Sequence, residues 1–395
     1  MPDDAASLNE WGGFTVVEQM VPSVTVQCHA ANLLELPNGD VLCAWFGGTQ
    51  EGLHDIDIYL ARLRAGATEW SAPSRLSGDR SRSEQNPVLF LAPNGELWLF
   101  WTAQVAGQQD VAQVRARVSR DLGASWGDEA TIFEPDADGG VFVRQPPVVR
   151  SDGAWILPVF RCGAVDGEPW TGDADHSAVR ISSDEGRTWR EVAVPSSEGM
   201  VHMCIVPTEP GGPFVALFRS RYADHIHRSR SDASGERWSA PEAIDLPNNN
   251  SSIQAINWSD HEIALVYNHS SAVDATSRRA SLYDEIEGGE IRTSAQPPES
   301  DGEATSGARR AFWGAPRAPL SLATSADGGR TWNRLADLGQ GDGYCLTNNS
   351  RDGLNRELSY PSLAKAANGE LHVAFTHHRT AIKHLRITPG GSGGA

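Results

Sequence analysis

Histidine, tyrosine, arginine and amide residues stand at matching places along this 395-residue chain. His29, Gln85-Asn86, Arg144-Gln145, His202, Asn250-Ser251 and Tyr360 each fall about eight or nine residues ahead of a tight-turn signal. A second set, Arg161, Arg219 and Asn268-His269, closes the apolar run that follows three of those turns. Imidazole and phenol groups can give or take a proton, guanidinium groups grip anions, and amides fix hydroxyls. Gathered on one rim, these types make a polar ligand pocket. Spread along an axis, they only line a wet channel.

The elements that would gather them repeat. An apolar run, a turn and a second apolar run recur at Leu34–Phe46, Leu89–Trp101, Val148–Phe160, Ile205–Phe218, Ala255–Tyr267 and Leu363–Phe375. Their turns are Asn38-Gly39, Asn94-Gly95, Asp152-Gly153, Gly211-Gly212, Ser259-Asp260 and Asn368-Gly369, which predicts six β-hairpins. Out of phase with them, Ser-x-Asp-x-Gly-x-(Ser/Thr)-Trp occurs at Ser119–Trp126, Ser182–Trp189 and Ser325–Trp332. A degenerate copy lies at Ser231–Trp238, and Trp70 closes an eroded fifth. In each, Ser and Asp cap backbone amides, Gly permits the reversal, and Trp plugs a seam between sheets.

Six hairpins, each followed by an outer hairpin, predict an all-β fold, a six-bladed β-propeller of four-stranded antiparallel blades. It is expected to occupy residues 1–387 as one domain, with 388–395 a flexible Gly-rich tail. Ring closure needs terminal pairing, so Phe14–Glu18 is expected beside Leu371–Thr376. The stretch 271–315 breaks the pattern within the fifth blade and reads either as a solvated loop or as a lid over the site.

Composition narrows the function. Lys and Arg number 33 against 51 Asp and Glu, a net charge of −18 that repels phosphate backbones and anionic membranes. Apolar runs are strand-sized, and the acidic start Met1-Pro2-Asp3-Asp4 is unlike a signal peptide. Five scattered cysteines without CxxC spacing suit reduced thiols, so a cytoplasmic location is expected, a clipped leader remaining the alternative. No nucleotide or nucleophile-elbow motif implies a cofactor. His377-His378 and His384 adjoin a basic run, so no metal is expected there.

The Ser-x-Asp repeats are similar to the Asp boxes of the sialidase (neuraminidase) superfamily. The resemblance spans residues 20–385 and is nearest the bacterial predicted neuraminidases with BNR repeats. It rests also on His29–Gly39, Trp45–Gly52 and Glu357–Pro361. It implies a Tyr nucleophile at Tyr360, an acid/base Asp at Asp55 with Asp57 in reserve, and carboxylate-binding arginines at Arg219 and Arg317. Two departures stand out: His29-Ala30-Ala31 replaces the first arginine, and the glutamate expected to deprotonate the tyrosine falls at or beside His202. A neutral imidazole can take that proton in its place.

Each residue also has a structural alternative. Tyr360 can line the channel, Arg219 and Arg317 can be inter-blade ion pairs, Asp55 can cap a turn, and His29 and His202 can be plain hydrogen-bonded histidines. The resemblance implies a carbohydrate substrate bearing a carboxylate and an exo-acting glycosidase. The same residues would serve a uronate lyase, in which arginines neutralise the carboxylate while His or Tyr moves the proton. A non-catalytic carbohydrate-binding propeller is the third reading. Oligomeric state is not legible.

Overall fold

All six hairpin positions place an inner strand against its neighbour, because turn residues that tolerate positive φ stand between runs of strand-forming side chains. Gly39 and Gly95 take φ of 81° and 85° in the first two turns. The computed structural model describes residues 7–11, 13–163, 170–259, 262–291 and 309–389. Asp260 of the fifth turn, the middle of the expected insertion and the tail from residue 390 lie outside them.

Six antiparallel sheets surround one axis, each contributing its first strand to the centre. The first blade comprises Gln27–Glu35, Val41–Gly48, Asp57–Leu63 and Ser74–Arg75. The second comprises Ser83–Leu91, Leu97–Val105, Gln108–Ser119 and Ala130–Phe133. In the third, the inner strand is broken into Gly140–Val143 and Val148–Val149, followed by Trp155–Cys162, His176–Ser182 and Arg190–Ala193. The fourth holds Met200–Pro207, Phe214–Ser220, His225–Arg230 and Glu242–Pro247. The fifth holds Gln254–Ser259, Glu262–Asn268, Leu320–Ser325 and Asn333–Gly339.

The last blade joins both ends of the chain, as closure requires, but one strand further out than expected. Phe14–Val21 pairs with Ala381–Pro389, and it is this strand that lies beside Leu371–His377. Ser7–Trp11 adds a fifth strand outside Phe14–Val21. The pairing runs to Pro389, two residues past the expected end of the propeller.

The core is distributed between blades. Six apolar clusters each join two neighbouring blades, and Trp126, Trp189, Trp238, Trp332 and Trp70 pack into them. The boxes hold these tryptophans in place. Ser119, Ser182 and Ser325 hydroxyls accept the amides of Gly123, Gly186 and Gly329 at 2.8, 2.8 and 2.9 Å. Asp121, Asp184 and Asp327 take the amides of Ser125, Thr188 and Thr331. All five cysteines are buried and unpaired.

One buried pair makes stability depend on pH. His372 Nδ1 lies 2.9 Å from His384 Nε2, with the rings stacked in the last blade. Burial pulls His372 down to about 4 and His384 well below the ordinary value of 6.5. The unfolded chain therefore takes up protons first as pH falls. The stability that these residues contribute is complete above about pH 6.5 and is lost toward pH 4. Urea midpoints should fall across that window, and a His372→Gln variant should fall less steeply. A flat wild-type profile would contradict the buried neutral pair.

Candidate active site

A repeated backbone irregularity aims the mouth residues. Pairing register slips between His29 and Asn32, Gln85 and Val88, Val201 and Cys204, and Ser359 and Ser362. At each slip a non-glycine residue takes positive φ: Ala30 at 59°, Asn86 at 51°, His202 at 53° and Tyr360 at 51°. A bulge of this kind bends the strand and re-aims a side chain. Asn250 adopts the same conformation, at 57°, just ahead of the fifth inner strand. In the third blade, residues 144–147 interrupt the strand instead. Left-handed non-glycine residues each cost on the order of 1 kcal/mol, so their concentration here means the surroundings enforce them.

Tyr360 sits at the centre, 5% exposed. Its hydroxyl accepts a hydrogen bond from Arg219 Nη1 at 2.6 Å. Arg219 also donates from Nε to Asn250 Oδ1 at 2.8 Å, and its Nη1 is 3.3 Å from His202 Nε2. Its Nη2 is buried without a partner. The guanidinium carbons of Arg144, Arg219 and Arg317 lie 5.3, 5.6 and 5.6 Å from the Tyr360 ring centre. The His29 ring packs on it at 4.2 Å.

Carboxylates compensate only part of this charge. Glu357 is shared between Arg317 at 2.9 Å and Arg379 at 3.1 Å, and Arg379 also pairs with Glu51. Burial opposes the charge on Glu357, but Arg317 and Arg379 outweigh it and hold the carboxyl well below its ordinary range. Arg221 pairs with Asp175, and Arg279 with Asp284. Arg144 and Arg219 have no carboxylate among the described residues. Burial pulls them down to about 10 and about 9, which leaves both charged at neutral pH.

Both histidines are neutral. Burial, then Arg379, pushes His29 well below 6.5, and burial, then Arg219, does the same to His202. His29 Nε2 faces Arg379 Nη2 at 3.4 Å, so it accepts and the proton sits on Nδ1, 2.8 Å from Thr376 Oγ1. His202 Nε2 likewise faces a guanidinium, and its Nδ1 is buried without a partner. This corrects the expectation that His202 is the base for Tyr360. Arg219 stands between them, and the free atom of His202 is an N–H donor.

Other expected residues divide. Arg317 and Tyr360 come together with Arg219. Gln85 is buried and donates to Ser83 Oγ at 3.0 Å, while Asn86 leaves its amide without a hydrogen bond to the described residues. Arg144 is close to Tyr360, but it donates to the carbonyls of Ala31, Tyr360 and Pro361 at 3.1–3.2 Å, so it pins inner strands together instead of facing a ligand. Arg161 is a clear correction. Strand alternation turns it away to Asp136 and Glu191, and its neighbour Phe160 meets His202. Asn268 donates to the Leu358 carbonyl at 2.7 Å in the seam between the fifth and last blades. Asp55 is exposed and takes the Thr49 amide at 3.0 Å, the turn-capping role. Asp57 lies on a strand, paired with Arg75 and Arg80, and is withdrawn as an acid.

The described parts of the 271–315 stretch cross this mouth. Tyr283 takes hydrogen bonds from Gln104 and Gln109 at 2.8 and 2.9 Å, Glu285 accepts the Asn348 amide at 2.8 Å, and Trp313 donates to the Thr171 carbonyl at 3.0 Å. Tyr283 and Trp313, with Leu282 and Ala311, form a seventh apolar cluster against Phe142, Phe160 and Val201. Leu282, Trp313 and Arg279 close over Arg317 and Glu357 and leave a cavity of only about 10 Å³, room for about one water.

The BNR repeat-like domain profile matches residues 39–373, most of the chain. The chain belongs to the BNR repeat-like family. Among solved structures, the Hadza microbial sialidase Hz136 superposes with a TM-score of 0.64 at 12% identity, over 92% of this chain and 66% of that one. NanB sialidase from Streptococcus pneumoniae gives 0.62 at 11%, over 92% and 68%. A protein of unknown function from Dyadobacter fermentans DSM 18053 gives 0.65 at 14%, over 95% and 99%. The chain thus spans about two thirds of the sialidases it resembles, and at these identities the likeness is one of fold. No curated protein matches the sequence significantly.

This BNR repeat-like protein holds site residues that sequence reasoning passed over. Arg379 was hidden in the basic run after His377-His378, yet it supplies a guanidinium beside His29, where the first arginine is missing. Glu357 sits three residues before Tyr360, but its two arginine partners are 40 and 22 positions away, and no local pattern reveals them. Replacing Glu357 by Gln leaves the buried Arg317 uncompensated and Arg379 with Glu51 alone, so Glu357→Gln should lose roughly 3–5 kcal/mol in chemical denaturation. A loss below 1 kcal/mol would show that water already reaches the cluster.

Proposed function

We propose that this protein is a sialidase-like exo-glycosidase that releases a terminal carboxylated sugar from a glycan. The observation that carries this reading is Arg219, a buried guanidinium with no carboxylate partner and Nη2 unengaged among the described residues, beside the hydroxyl of Tyr360. An isolated buried charge is costly, so the site is built to be completed by an anion. A sugar carboxylate meets that need through Arg219, with Arg317 alongside and the Nδ1–H of His202 as a further donor.

With the carboxylate held, the Tyr360 oxygen attacks the anomeric carbon as the glycosidic bond breaks, its proton passing to water at the mouth, the sialidase exception to paired carboxylates. A second water then cleaves the tyrosyl–sugar bond, releasing the sugar and restoring the phenol. Arg219 fixes that oxygen and stabilises charge developing on it. Asp55, whose Oδ2 caps the loop at Thr49, lies exposed and offers its other oxygen to protonate the leaving oxygen once a glycan fills the mouth. His29 orients the tyrosine ring by packing against it.

One observation favours a second reading. Among the described residues no carboxylate hydrogen-bonds to Tyr360, whereas two neutral imidazoles flank it. A uronate lyase, with arginines neutralising the carboxylate and Tyr360 moving the proton, fits that arrangement.

The deciding experiment is mass spectrometry of products from sialylated and uronate-terminated oligosaccharides. Hydrolysis yields a sugar that has gained water, and elimination yields an unsaturated product lighter by one water. Tyr360→Phe should lower turnover by roughly 10²–10⁴-fold while preserving ligand affinity. Unchanged turnover would end both Tyr-based mechanisms.

A further inference from the structure

We infer that Asn250 is a positioning residue that ties the seating of the mouth-crossing insertion to the orientation of Arg219, and so to anion binding. The inference rests on the reading above, in which Arg219 holds the substrate carboxylate. Asn250 Oδ1 accepts from Arg219 Nε at 2.8 Å, and its Nδ2 donates to the Phe312 carbonyl at 2.9 Å. The guanidinium can only donate and the carbonyl can only accept, so both partners demand the same amide orientation. The amide meets that demand, accepting through its oxygen and donating through its nitrogen. Aspartate cannot donate, and aliphatic side chains do neither.

The backbone supports this role. Asn250 takes φ of 57°, a conformation that asparagine tolerates better than most residues, and it is 1% exposed. On the insertion side, the contacts converge on the same two arginines. The Phe312 amide donates to the Arg221 carbonyl at 2.7 Å. The Trp313 ring lies over Arg219 at 5.8 Å and over Arg221 at 5.1 Å. The segment 311–313 is therefore seated on the arginines that the fourth blade delivers.

The coupling follows from the donors of Arg219. Nε is held by Asn250 and Nη1 by Tyr360 and His202, which leaves Nη2 as the unengaged donor. The direction of that edge is set by the bond to Asn250. With the insertion unseated, Asn250 Nδ2 loses its acceptor, the amide is free to turn, and Arg219 loses its lock. By linkage, an anion on Arg219 stabilises the seated insertion to the same extent that seating improves anion binding.

Asn250→Gly tests this while keeping the positive φ available, and Asn250→Asp retains the acceptor but loses the donor. The probes are free N-acetylneuraminate and free glucuronate, measured by calorimetry, together with hydrogen exchange at 311–313. For Asn250→Gly we expect affinity to fall about tenfold, the scale of one hydrogen bond to a charged group, and exchange at 311–313 to quicken. Asn250→Asp should lose more affinity, because its carboxylate neutralises Arg219 and repels the Phe312 carbonyl. Either sugar should slow exchange at 311–313 in the wild type and not in Asn250→Gly. Unchanged affinity and exchange in a folded Asn250→Gly variant, checked by its denaturation midpoint, would overturn the inference. If the wild type binds neither sugar, the carboxylate reading fails separately. Exchange in Asn250→Gly then decides the structural tie alone, and unchanged exchange overturns it.

Discussion

A buried carboxylate held between two guanidinium groups is the interaction on which the mouth of this propeller depends. Glu357 neutralises Arg317 and Arg379 from a position almost wholly out of water, and Glu51 reaches Arg379 from the first blade. The partners come from the first, fifth and last blades, so the ion network also fastens the ring near the point where the chain closes on itself. Its compensation stops short of Arg219. That imbalance would be a defect in a purely structural core, since unpaired buried charge is expensive. Beside a tyrosine hydroxyl and a neutral histidine donor, it is the feature on which the proposed anion site rests.

The scaffold produces this arrangement by repetition with local departures. Each inner strand must bury apolar side chains against its neighbours along most of its length and present a polar side chain at its mouth end. A bulge with one left-handed residue meets both demands, because the extra residue changes which side chain points inward without disturbing the remaining register. The neutrality of His29 and His202 follows from the same geometry. Burial and nearby guanidinium groups both oppose imidazolium, so both rings accept from arginine, while the N–H of His29 is taken by Thr376 and only that of His202 is left unengaged. The insertion completes the enclosure with Leu282 and Trp313, residues that lie nowhere near the mouth in the blade pattern itself.

The sequence alone determined the architecture. Turn pairs such as Asn38-Gly39 and boxes such as Ser119–Trp126 act through contacts within a few residues, so their spacing reports hairpins, blade number and the seam tryptophans directly. It also put Tyr360, Arg219, His29 and His202 at equivalent strand ends, because their distance from each turn counts residues along a strand, whereas Arg317 came only from the resemblance. Only the tertiary structure decided what these side chains do there. Arg161 and Arg219 end equivalent strands, yet one faces outward and the other inward, since a one-residue change of phase reverses a strand's faces. His202 lies beside Tyr360, but the guanidinium of Arg219 between their polar atoms removes its role as a base. Arg379 and Glu51 meet across 328 residues, and Asn250 meets Phe312 across 62. Charge compensation and hydrogen bonding depend on distance in space, and a repeat pattern carries no information about which long-range partners a closed ring will bring together.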